Sequence, residues 1–160
     1  NVLAVNAHLA IKKHIRVSTD FAESIPLVLV DPDLIGQVAL NLFSNAVKYS
    51  PEQSEITISI KNIKNSVIVQ VRDTGYGISK ENLNNLFQKF FRAKDDKNVK
   101  DVEGTGLGLA FVKEIIQQHD GRISAESELG KGSLFSFSIP SYVSENPIVP
   151  SKARSETVKS

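Results

Sequence analysis

The 160-residue sequence contains no cysteine. Disulfide scaffolds, thiolate nucleophiles and cysteine-ligated zinc sites are therefore excluded. A long apolar run is also missing: residues 25–30 fall far short of the ~20 residues that a membrane-spanning helix needs. The first residues do not follow the basic and then apolar pattern of a secretory leader. We therefore expect a cytoplasmic chain that makes no membrane contact of its own, which leaves open whether a longer parent protein is membrane-anchored.

The sequence has no excess of either charge sign. Its 19 Lys and Arg residues against 18 Asp and Glu residues leave a net charge of +1, so no broad positive field is available to bind a nucleic-acid backbone. We expect no nucleic-acid partner. The length and the 41% hydrophobic composition fit one globular domain, whose function must depend on local motifs.

Hydrophobic periodicity predicts an α+β fold. Apolar residues at helical spacing predict helices over residues 2–14, 31–49, 79–87 and 104–119. Alternating apolar and polar residues predict strands over residues 15–19, 55–61, 67–72, 122–126 and 133–139. We expect a two-layer α/β sandwich in which a mixed, mostly antiparallel sheet is covered on one face by helices.

Two segments do not fit the packed domain. Residues 92–103 hold four basic and four acidic residues with little apolar surface, so we expect a mobile loop there. Residues 141–160 are rich in Ser, Pro and charge, which predicts a disordered tail or linker and places the folded domain at residues 1–140. Because the first helix begins at residue 2, we also expect the chain to be cut from a longer polypeptide.

Two glycine clusters and a pair of asparagines are the candidate functional features. They comprise, in chain order, Asn41, Asn45, Gly75, Gly77, Gly104, Gly106 and Gly108. Free N–H groups at a helix start attract anions, but a Rossmann loop needs a strand directly before it and a Walker loop ends in Gly-Lys-Ser/Thr. Neither common nucleotide-binding loop matches. Taken singly, the first glycine pair is more typical of a simple turn, and the asparagine pair is more typical of capping or solvated residues than of metal ligands.

Together and in this order, the motifs resemble the catalytic ATP-binding domain of sensor histidine kinases. This superfamily also includes gyrase, heat-shock chaperone and mismatch-repair ATPases. Residues 41–50 (NLFSNAVKYS) resemble the N box, residues 73–78 (DTGYGI) the first glycine box, residues 87–92 (FQKFFR) the F box and residues 104–108 (GTGLG) the second glycine box. The resemblance implies the Bergerat ATP-binding fold, with ATP and Mg²⁺ as cofactors.

The resemblance assigns the N box to the metal and the phosphates. Asn45 is implied as the principal Mg²⁺ ligand and Asn41 as a supporting or water-mediated one. Neutral amide oxygens suit a hard cation whose other ligands are phosphates and water. Lys48 is implied as a point charge that reaches the phosphates, with a solvated helix end as its alternative, and Tyr49 borders the nucleotide.

By the same resemblance, the first glycine box holds the adenine. Asp73 accepts a hydrogen bond from the exocyclic amino group of adenine, and guanine has a carbonyl at that ring position, so the carboxylate selects ATP over GTP. Gly75 and Gly77 let the backbone approach the ring. Ile78 offers it an apolar wall.

The second glycine box is implied to hold the phosphates. Gly106 and Gly108 present N–H groups to the β- and γ-phosphates at the start of a helix. Thr105 adds a hydroxyl group, and Leu107 belongs to the same nucleotide-binding loop.

Residues 88–103 are implied as an ATP lid that closes on the nucleotide. Arg92 contacts either a phosphate or the partner domain. The F-box phenylalanines either pack in the core or serve the lid; they are Phe87, Phe90 and Phe91.

The residue at position 41 also indicates the reaction. In the chaperone and gyrase branches a Glu at this place acts as general base toward water, whereas Asn41 carries an amide, which is no base. The resemblance therefore implies a protein-histidine kinase whose catalytic set is Asn41, Asn45, Lys48 and Arg92. It transfers the γ-phosphoryl group to a histidine on a separate dimerisation domain of the parent sensor kinase, for relay to an aspartate of a response regulator receiver domain.

None of the three histidines matches the implied acceptor, which is usually followed directly by an acidic residue. His8 and His14 precede apolar residues, and His119 precedes Asp120 in a helix-ending turn. We therefore expect the chain to bind Mg-ATP without phosphorylating itself.

Two alternatives to the histidine kinase remain. A serine-phosphorylating relative of the anti-sigma-factor kinases is expected to carry Glu at position 41, where this chain has Asn41. The other alternative is a nucleotide-sensing or protein-interaction module that keeps the fold without phosphotransfer. Only an assay with a histidine-bearing domain separates this module from a kinase.

Overall fold

The computed structural model describes residues 2–93 and 104–142, with side chains described from residue 7 onward. The elements in chain order are α1 (Val2–Lys12), β1 (Arg16–Phe21), α2 (Pro32–Lys48), β2 (Glu55–Ile63), β3 (Ser66–Asp73), α3 (Lys80–Leu83), α4 (Gly108–Gln118), β4 (Arg122–Glu128) and β5 (Gly132–Pro140). Their order and type confirm the prediction from periodicity, but α3 ends at Leu83 instead of continuing to residue 87, and α4 begins at Gly108 instead of at residue 104. Within this part of the chain, no helix is both long enough and apolar enough to cross a membrane.

The five strands form one mixed sheet in the order β1-β2-β3-β5-β4. β1 pairs with β2 in parallel, and the other three pairs are antiparallel. In this register Asp73, the last residue of β3, lies opposite Ile56 on one side and Ser133 on the other. The central strand therefore ends in a carboxylate that has neighbours on both sides.

The helices cover one face of the sheet. The apolar stripe predicted for α2 is buried there at Val38, Leu42, Phe43, Ala46 and Val47. It packs with buried residues of α4 and of the sheet, which include Val112, Ile116, Val71, Phe135 and Phe137. Burial of a side chain of this size stabilises the fold by about 1.5–3 kcal/mol.

The opposite face of the sheet carries a row of polar side chains. Ser59 Oγ donates a hydrogen bond to Gln70 Oε1 at 3.3 Å, and Gln70 Nε2 donates to Ser136 Oγ at 3.0 Å. These residues lie opposite one another on β2, β3 and β5. Because successive side chains of a strand point to opposite faces, apolar positions face the helices and this row faces away from them.

The start of α2 is fixed by local and distant hydrogen bonds. Asp31 Oδ1 accepts hydrogen bonds from the backbone nitrogens of Asp33 (2.9 Å) and Leu34 (3.1 Å), as expected of an N-cap residue. His119, the C-cap of α4, pairs through Nδ1 with the carbonyl oxygen of Ile115 at 2.8 Å and accepts at Nε2 from the Asp31 backbone nitrogen at 3.0 Å. His119 therefore joins the end of α4 to the start of α2.

The end of the described chain continues past the predicted domain boundary. The backbone nitrogen of Ser141 donates to the carbonyl oxygen of Asn65 at 2.9 Å, and that of Tyr142 donates to Leu27 at 2.7 Å. The rest of the predicted tail lies outside the described residues, as does most of the predicted lid, from position 94 to position 103.

Candidate functional site

A cavity of about 950 Å³ lies between the carboxyl half of α2, the loop after β3 and the loop that leads into α4. Every site residue predicted from the sequence except Leu107 lines it. These residues are Asn41, Asn45, Lys48, Tyr49, Asp73, Gly75, Gly77, Ile78, Arg92, Thr105, Gly106 and Gly108. The fold thus brings the N box, both glycine boxes and the end of the F box to one place.

Asp73 lines the cavity and is buried, with 6% of its surface exposed. Its Oδ1 accepts hydrogen bonds from the backbone nitrogens of Gly75 at 2.8 Å and Ser133 at 3.2 Å. Burial raises the pKa of the Asp73 carboxyl above its usual range, and these two hydrogen bonds lower it in part. In the described part of the chain no hydrogen bond reaches Oδ2, so this oxygen keeps its capacity for a donor from a ligand.

The first glycine box is packed tightly onto the end of α2. A Cβ atom on Gly75 would collide with the carbonyl oxygen of Tyr49 and would lie 2.7 Å from Asp73 Oδ1 and 2.9 Å from Ser50 Oγ. The backbone nitrogen of Tyr76 donates to the same Tyr49 carbonyl at 3.0 Å. A side chain at Gly75 would therefore push this loop away from α2.

Gly77 is required by its backbone conformation as well as by space. Its φ is +71°, and a Cβ there would collide with the backbone of Glu128 at the end of β4. We expect both glycines to let the backbone approach an adenine ring. Gly75 and Gly77 both line the cavity, and on the side where a Cβ would stand they are packed against other parts of the same chain.

Asn41 and Asn45 lie one turn apart on α2 and are joined by a hydrogen bond. Asn45 Nδ2 donates to Asn41 Oδ1 at 3.2 Å, and no hydrogen bond among the described residues reaches Asn45 Oδ1. The two amides therefore differ, because Asn45 keeps a neutral oxygen available to a cation while the Asn41 oxygen already accepts.

The residues present fit a hard cation that is coordinated mainly by a bound molecule and less by the protein. Over residues 2–93 and 104–142, no group of three or more His, Cys, Asp or Glu side chains could hold a metal ion. A cation in the cavity would therefore use neutral oxygens such as Asn45 Oδ1 together with anionic oxygens of a bound molecule. Mg²⁺ is commonly bound in this way, with few protein ligands.

The start of α4 faces the cavity without a side-chain cap. Its N-cap residue, Leu107, makes no capping hydrogen bond, so the first N–H groups of the helix can bind an anion. A Cβ on Gly108 would lie 2.6 Å from Asn41 Nδ2, which shows how closely this helix end approaches the N box. Lys48 is exposed and lines the same cavity, which adds a positive charge.

The F box is joined to the second glycine box. The backbone nitrogen of Phe90 donates to the carbonyl oxygen of Gly106 at 2.9 Å. Phe87 packs against the core and Phe91 lines the cavity. Phe90 is 73% exposed. The expected packing against the core is therefore found at Phe87 and not at Phe90.

Leu107 lies outside the cavity lining and borders a neighbouring groove with Phe90 and Phe111. Successive residues at a helix start point in different directions, about 100° apart. Gly106 and Gly108 can therefore face the cavity while the residue between them does not.

Some residues of the site were missed in the sequence. Ser133 binds Asp73 through its backbone nitrogen, and Ser127 Oγ accepts a hydrogen bond from the backbone nitrogen of Ile78 at 2.8 Å. Ser50 is fully buried, and its Oγ has no partner among the described residues. The pairing of β3 with β5 is the signal that would have brought Ser133 to Asp73.

Comparison with known proteins identifies the family. The family model described as "Histidine kinase-, DNA gyrase B-, and HSP90-like ATPase" matches residues 30–143. The chain belongs to this family. The recognition from four ordered motifs is thus confirmed, and a nucleotide-binding family accounts for a cavity lined by a buried carboxylate, two amides and an uncapped helix start.

The relatives are sensor kinases. The chain is 39% identical to the sensor protein RprX of Bacteroides fragilis (strain YCH46) over 78% of its own length, and it spans 24% of that protein. Among solved structures, the catalytic domain of histidine kinase ThkA matches with a TM-score of 0.75 and 30% identity, covering 88% of this chain and 89% of that domain. ThkA has also been solved in complex with response regulator protein TrrA. In that structure, this chain covers 38% of the matched chain.

Full-length ShkA in complex with AMPPNP matches with a TM-score of 0.77 and 27% identity, over 89% of this chain and 29% of ShkA. The chain therefore spans only 24% of RprX and 29% of full-length ShkA. The predicted Bergerat fold, a mixed sheet with helices on one face, is confirmed.

Proposed function

We propose that this domain binds Mg-ATP and transfers the γ-phosphoryl group to a histidine on a separate dimerisation domain of its parent sensor kinase, for relay to a response regulator aspartate. One observation carries the proposal. A single cavity is lined by a buried carboxylate, two amides, an exposed lysine and an uncapped helix start, which are Asp73, Asn41, Asn45, Lys48 and Gly108. These groups match the base, metal and phosphates of one nucleotide.

Asp73 serves the adenine end of the site. Its backbone partners hold Oδ1 and thereby fix the direction in which Oδ2 accepts. The exocyclic amino group of adenine donates to this oxygen, whereas the guanine carbonyl would face it as a second acceptor, which a buried carboxylate tolerates poorly.

Asn45, supported by Asn41, would hold Mg²⁺, which when bound neutralises charge on the phosphates. Lys48 adds a positive charge, and the N–H groups at the start of α4 point their dipoles toward the anion. Thr105 and Arg92 line the same cavity. The chain's own groups thus bind and orient the triphosphate, and positioning of this kind accounts for most of the catalysis in phosphoryl transfer.

The cavity favours transfer to an external acceptor over hydrolysis. Among the described lining residues, Asp73 is the only carboxylate and there is no histidine. Asp73 is held at the adenine end by two backbone hydrogen bonds, and Asn41 is not a base. Water in the cavity therefore has no general base among these residues, whereas an imidazole brought by another domain is itself a nucleophile.

The relatives support the partners. RprX is a sensor protein, ThkA has been solved with a response regulator, and ShkA has been solved with an ATP analogue. Because ATP is the phosphoryl donor, the proposal also places the domain in the cytoplasm.

Calorimetric titration with ADP and AMPPNP, each with and without Mg²⁺, tests nucleotide binding. We expect binding that Mg²⁺ strengthens. Asn62→Ala is the matched control for alanine variants of the cavity asparagines, since Asn62 is exposed near the end of β2 and does not line the cavity. A wild-type domain that binds no adenine nucleotide would overturn the proposal.

Incubation with radiolabelled ATP and the histidine-bearing dimerisation domain of the same polypeptide tests the transfer. We expect a label on the dimerisation domain that is stable in alkali and labile in acid. An acid-stable label would instead support the serine-phosphorylating relative. Nucleotide binding without any transfer would support the nucleotide-sensing module.

A further inference from the structure

Lys13 follows α1 directly and reaches the end of α2, although it does not line the cavity. Its Nζ donates hydrogen bonds to the carbonyl oxygens of Val47 at 2.9 Å, Lys48 at 3.2 Å and Ser50 at 2.9 Å. An ammonium group has three N–H donors, so all three are used on this one turn of chain.

We propose that Lys13 is a positioning residue for the nucleotide: by capping the carboxyl end of α2 it leaves the side chain of Lys48 free to contact the phosphates. This inference rests on the proposed function of the site. Lys13 itself touches no ligand in this scheme and acts through Lys48.

The last carbonyl groups of a helix have no partner within the helix and carry partial negative charge, which favours a cation beside them. Lys48 is the basic residue of the last turn of α2 itself. Without Lys13, the Lys48 ammonium is drawn to these carbonyls and away from the cavity. With Lys13 in place the carbonyls are already bound, and the positive charge of Lys48 stays available to an anion.

The turn that Lys13 caps is also bound to the adenine end of the site. Within residues 47–50, the carbonyls of Val47, Lys48 and Ser50 bind Lys13, and that of Tyr49 accepts from the Tyr76 backbone nitrogen of the first glycine box. All four carbonyls therefore have partners. A loss at Lys13 would release the carbonyls of Val47, Lys48 and Ser50 but would leave the bond between Tyr49 and the first glycine box in place.

Lys13 is itself held in place. Its carbonyl oxygen accepts from the Gln53 backbone nitrogen at 3.0 Å, and its own backbone nitrogen donates to Leu9 at 3.1 Å. Burial lowers the pKa of the Lys13 ammonium, and the nearby Glu52 carboxylate raises it in part. A partly desolvated cation depends on its hydrogen-bond partners more than an exposed one does.

A double-mutant cycle tests whether Lys13 acts through Lys48. Dissociation constants for AMPPNP are measured for wild type, Lys13→Met, Lys48→Ala and the double variant, with thermal unfolding as the check of folding. We expect Lys13→Met to weaken binding roughly tenfold, as for loss of one hydrogen bond to a charged group. In the Lys48→Ala background, Lys13→Met should not weaken AMPPNP binding further, because the Lys48 side chain through which Lys13 acts is already absent.

Lys12→Met is the matched control, since Lys12 is the exposed neighbour in α1 and should bind AMPPNP as wild type does. Lys13→Gln replaces Lys13→Met if the latter does not unfold cooperatively. Equal weakening by Lys13→Met in both backgrounds, or an affinity equal to that of Lys12→Met, would overturn the inference. A wild-type domain that binds no AMPPNP would instead overturn the proposed function.

Discussion

The carboxylate of Asp73 and the backbone nitrogen of Ser133 are joined by a hydrogen bond of 3.2 Å across the β3–β5 pair. A second bond from Gly75 reaches the same oxygen. The protein therefore places a charge in a buried position, and it satisfies one of the two carboxylate oxygens while leaving the other to a ligand. Buried groups with raised pKa values of this kind are typical of functional sites.

Asp73→Asn is expected to stabilise the nucleotide-free domain while it weakens nucleotide binding. Burial raises the pKa of the Asp73 carboxyl in the folded state, because the charged carboxylate is desolvated there. At neutral pH this desolvation costs free energy of folding, and a neutral amide does not have that cost. We expect Tm to rise by a few degrees, which corresponds to a gain of about 1 kcal/mol in the free energy of unfolding for a domain of this size. ADP affinity should fall roughly 100-fold, because the proposed acceptor for the adenine amino group is lost.

The same pKa shift predicts a pH dependence. A folded pKa above the unfolded value means that the folded state binds more protons between the two, so stability falls as pH rises from the unfolded pKa through the raised one. Thermal unfolding measured from pH 4 to pH 7.5 should therefore show a smaller difference between wild type and Asp73→Asn at the acid end. An equal difference at every pH would contradict this.

Gly75→Ala and Gly36→Ala should change stability in opposite directions. A Cβ on Gly75 would collide with the Tyr49 carbonyl, and forced packing of this kind destabilises by about 1–3 kcal/mol. Gly36 lies inside α2 with nothing within 4 Å of an added Cβ, so alanine there should stabilise by about 0.5–1 kcal/mol. Urea unfolding of both variants measures the two changes.

ADP affinity separates the two glycine variants further. Gly75→Ala should weaken ADP binding, because it displaces the loop that holds Asp73. Gly36→Ala should leave the affinity unchanged, since Gly36 does not line the cavity. A destabilised Gly75→Ala domain with wild-type affinity would show that the contact with Tyr49 is purely structural.

The parts of the fold that could be predicted depend on neighbours in sequence. The cap at Asp31 binds residues two and three positions away, and the apolar stripe of α2 repeats within one helix. Lys13 could not be found in this way, because its acceptors lie 34, 35 and 37 residues along the chain.

The site was predicted by motif order, but the physical reasons for some motif residues appear only in three dimensions. Gly77 meets the backbone of Glu128, and Gly108 meets the amide of Asn41. Both contacts depend on how β4 and α4 pack. Leu107 was included with its neighbours because a motif is contiguous in sequence, whereas a helix start turns each side chain to a different side.

Asn45→Ala is expected to remove the effect of Mg²⁺ on AMPPNP binding. Asn45 Oδ1 is the amide oxygen of the N box that keeps no hydrogen-bond partner in the described structure, so its loss should lower affinity about tenfold in Mg²⁺ and little in EDTA. Asn41→Ala should have a smaller effect, because the Asn41 oxygen already accepts from Asn45. Calorimetry with and without Mg²⁺ measures both, and a larger effect at Asn41 would reverse the assignment of the two amides.

Asn41→Glu is expected to increase ATP hydrolysis. Asn41 lies at the cavity one turn before Asn45, and a carboxylate there would supply the general base that the described lining lacks near the phosphates. Positioned bases contribute about 10²–10⁴-fold, and because this side chain is not optimally placed we expect about tenfold. Asn41→Gln is the matched control, since it has the same length without the base. Phosphate release at equal saturation with Mg-ATP measures the rate, and equal rates in the two variants would show that a missing base is not what limits hydrolysis in this domain.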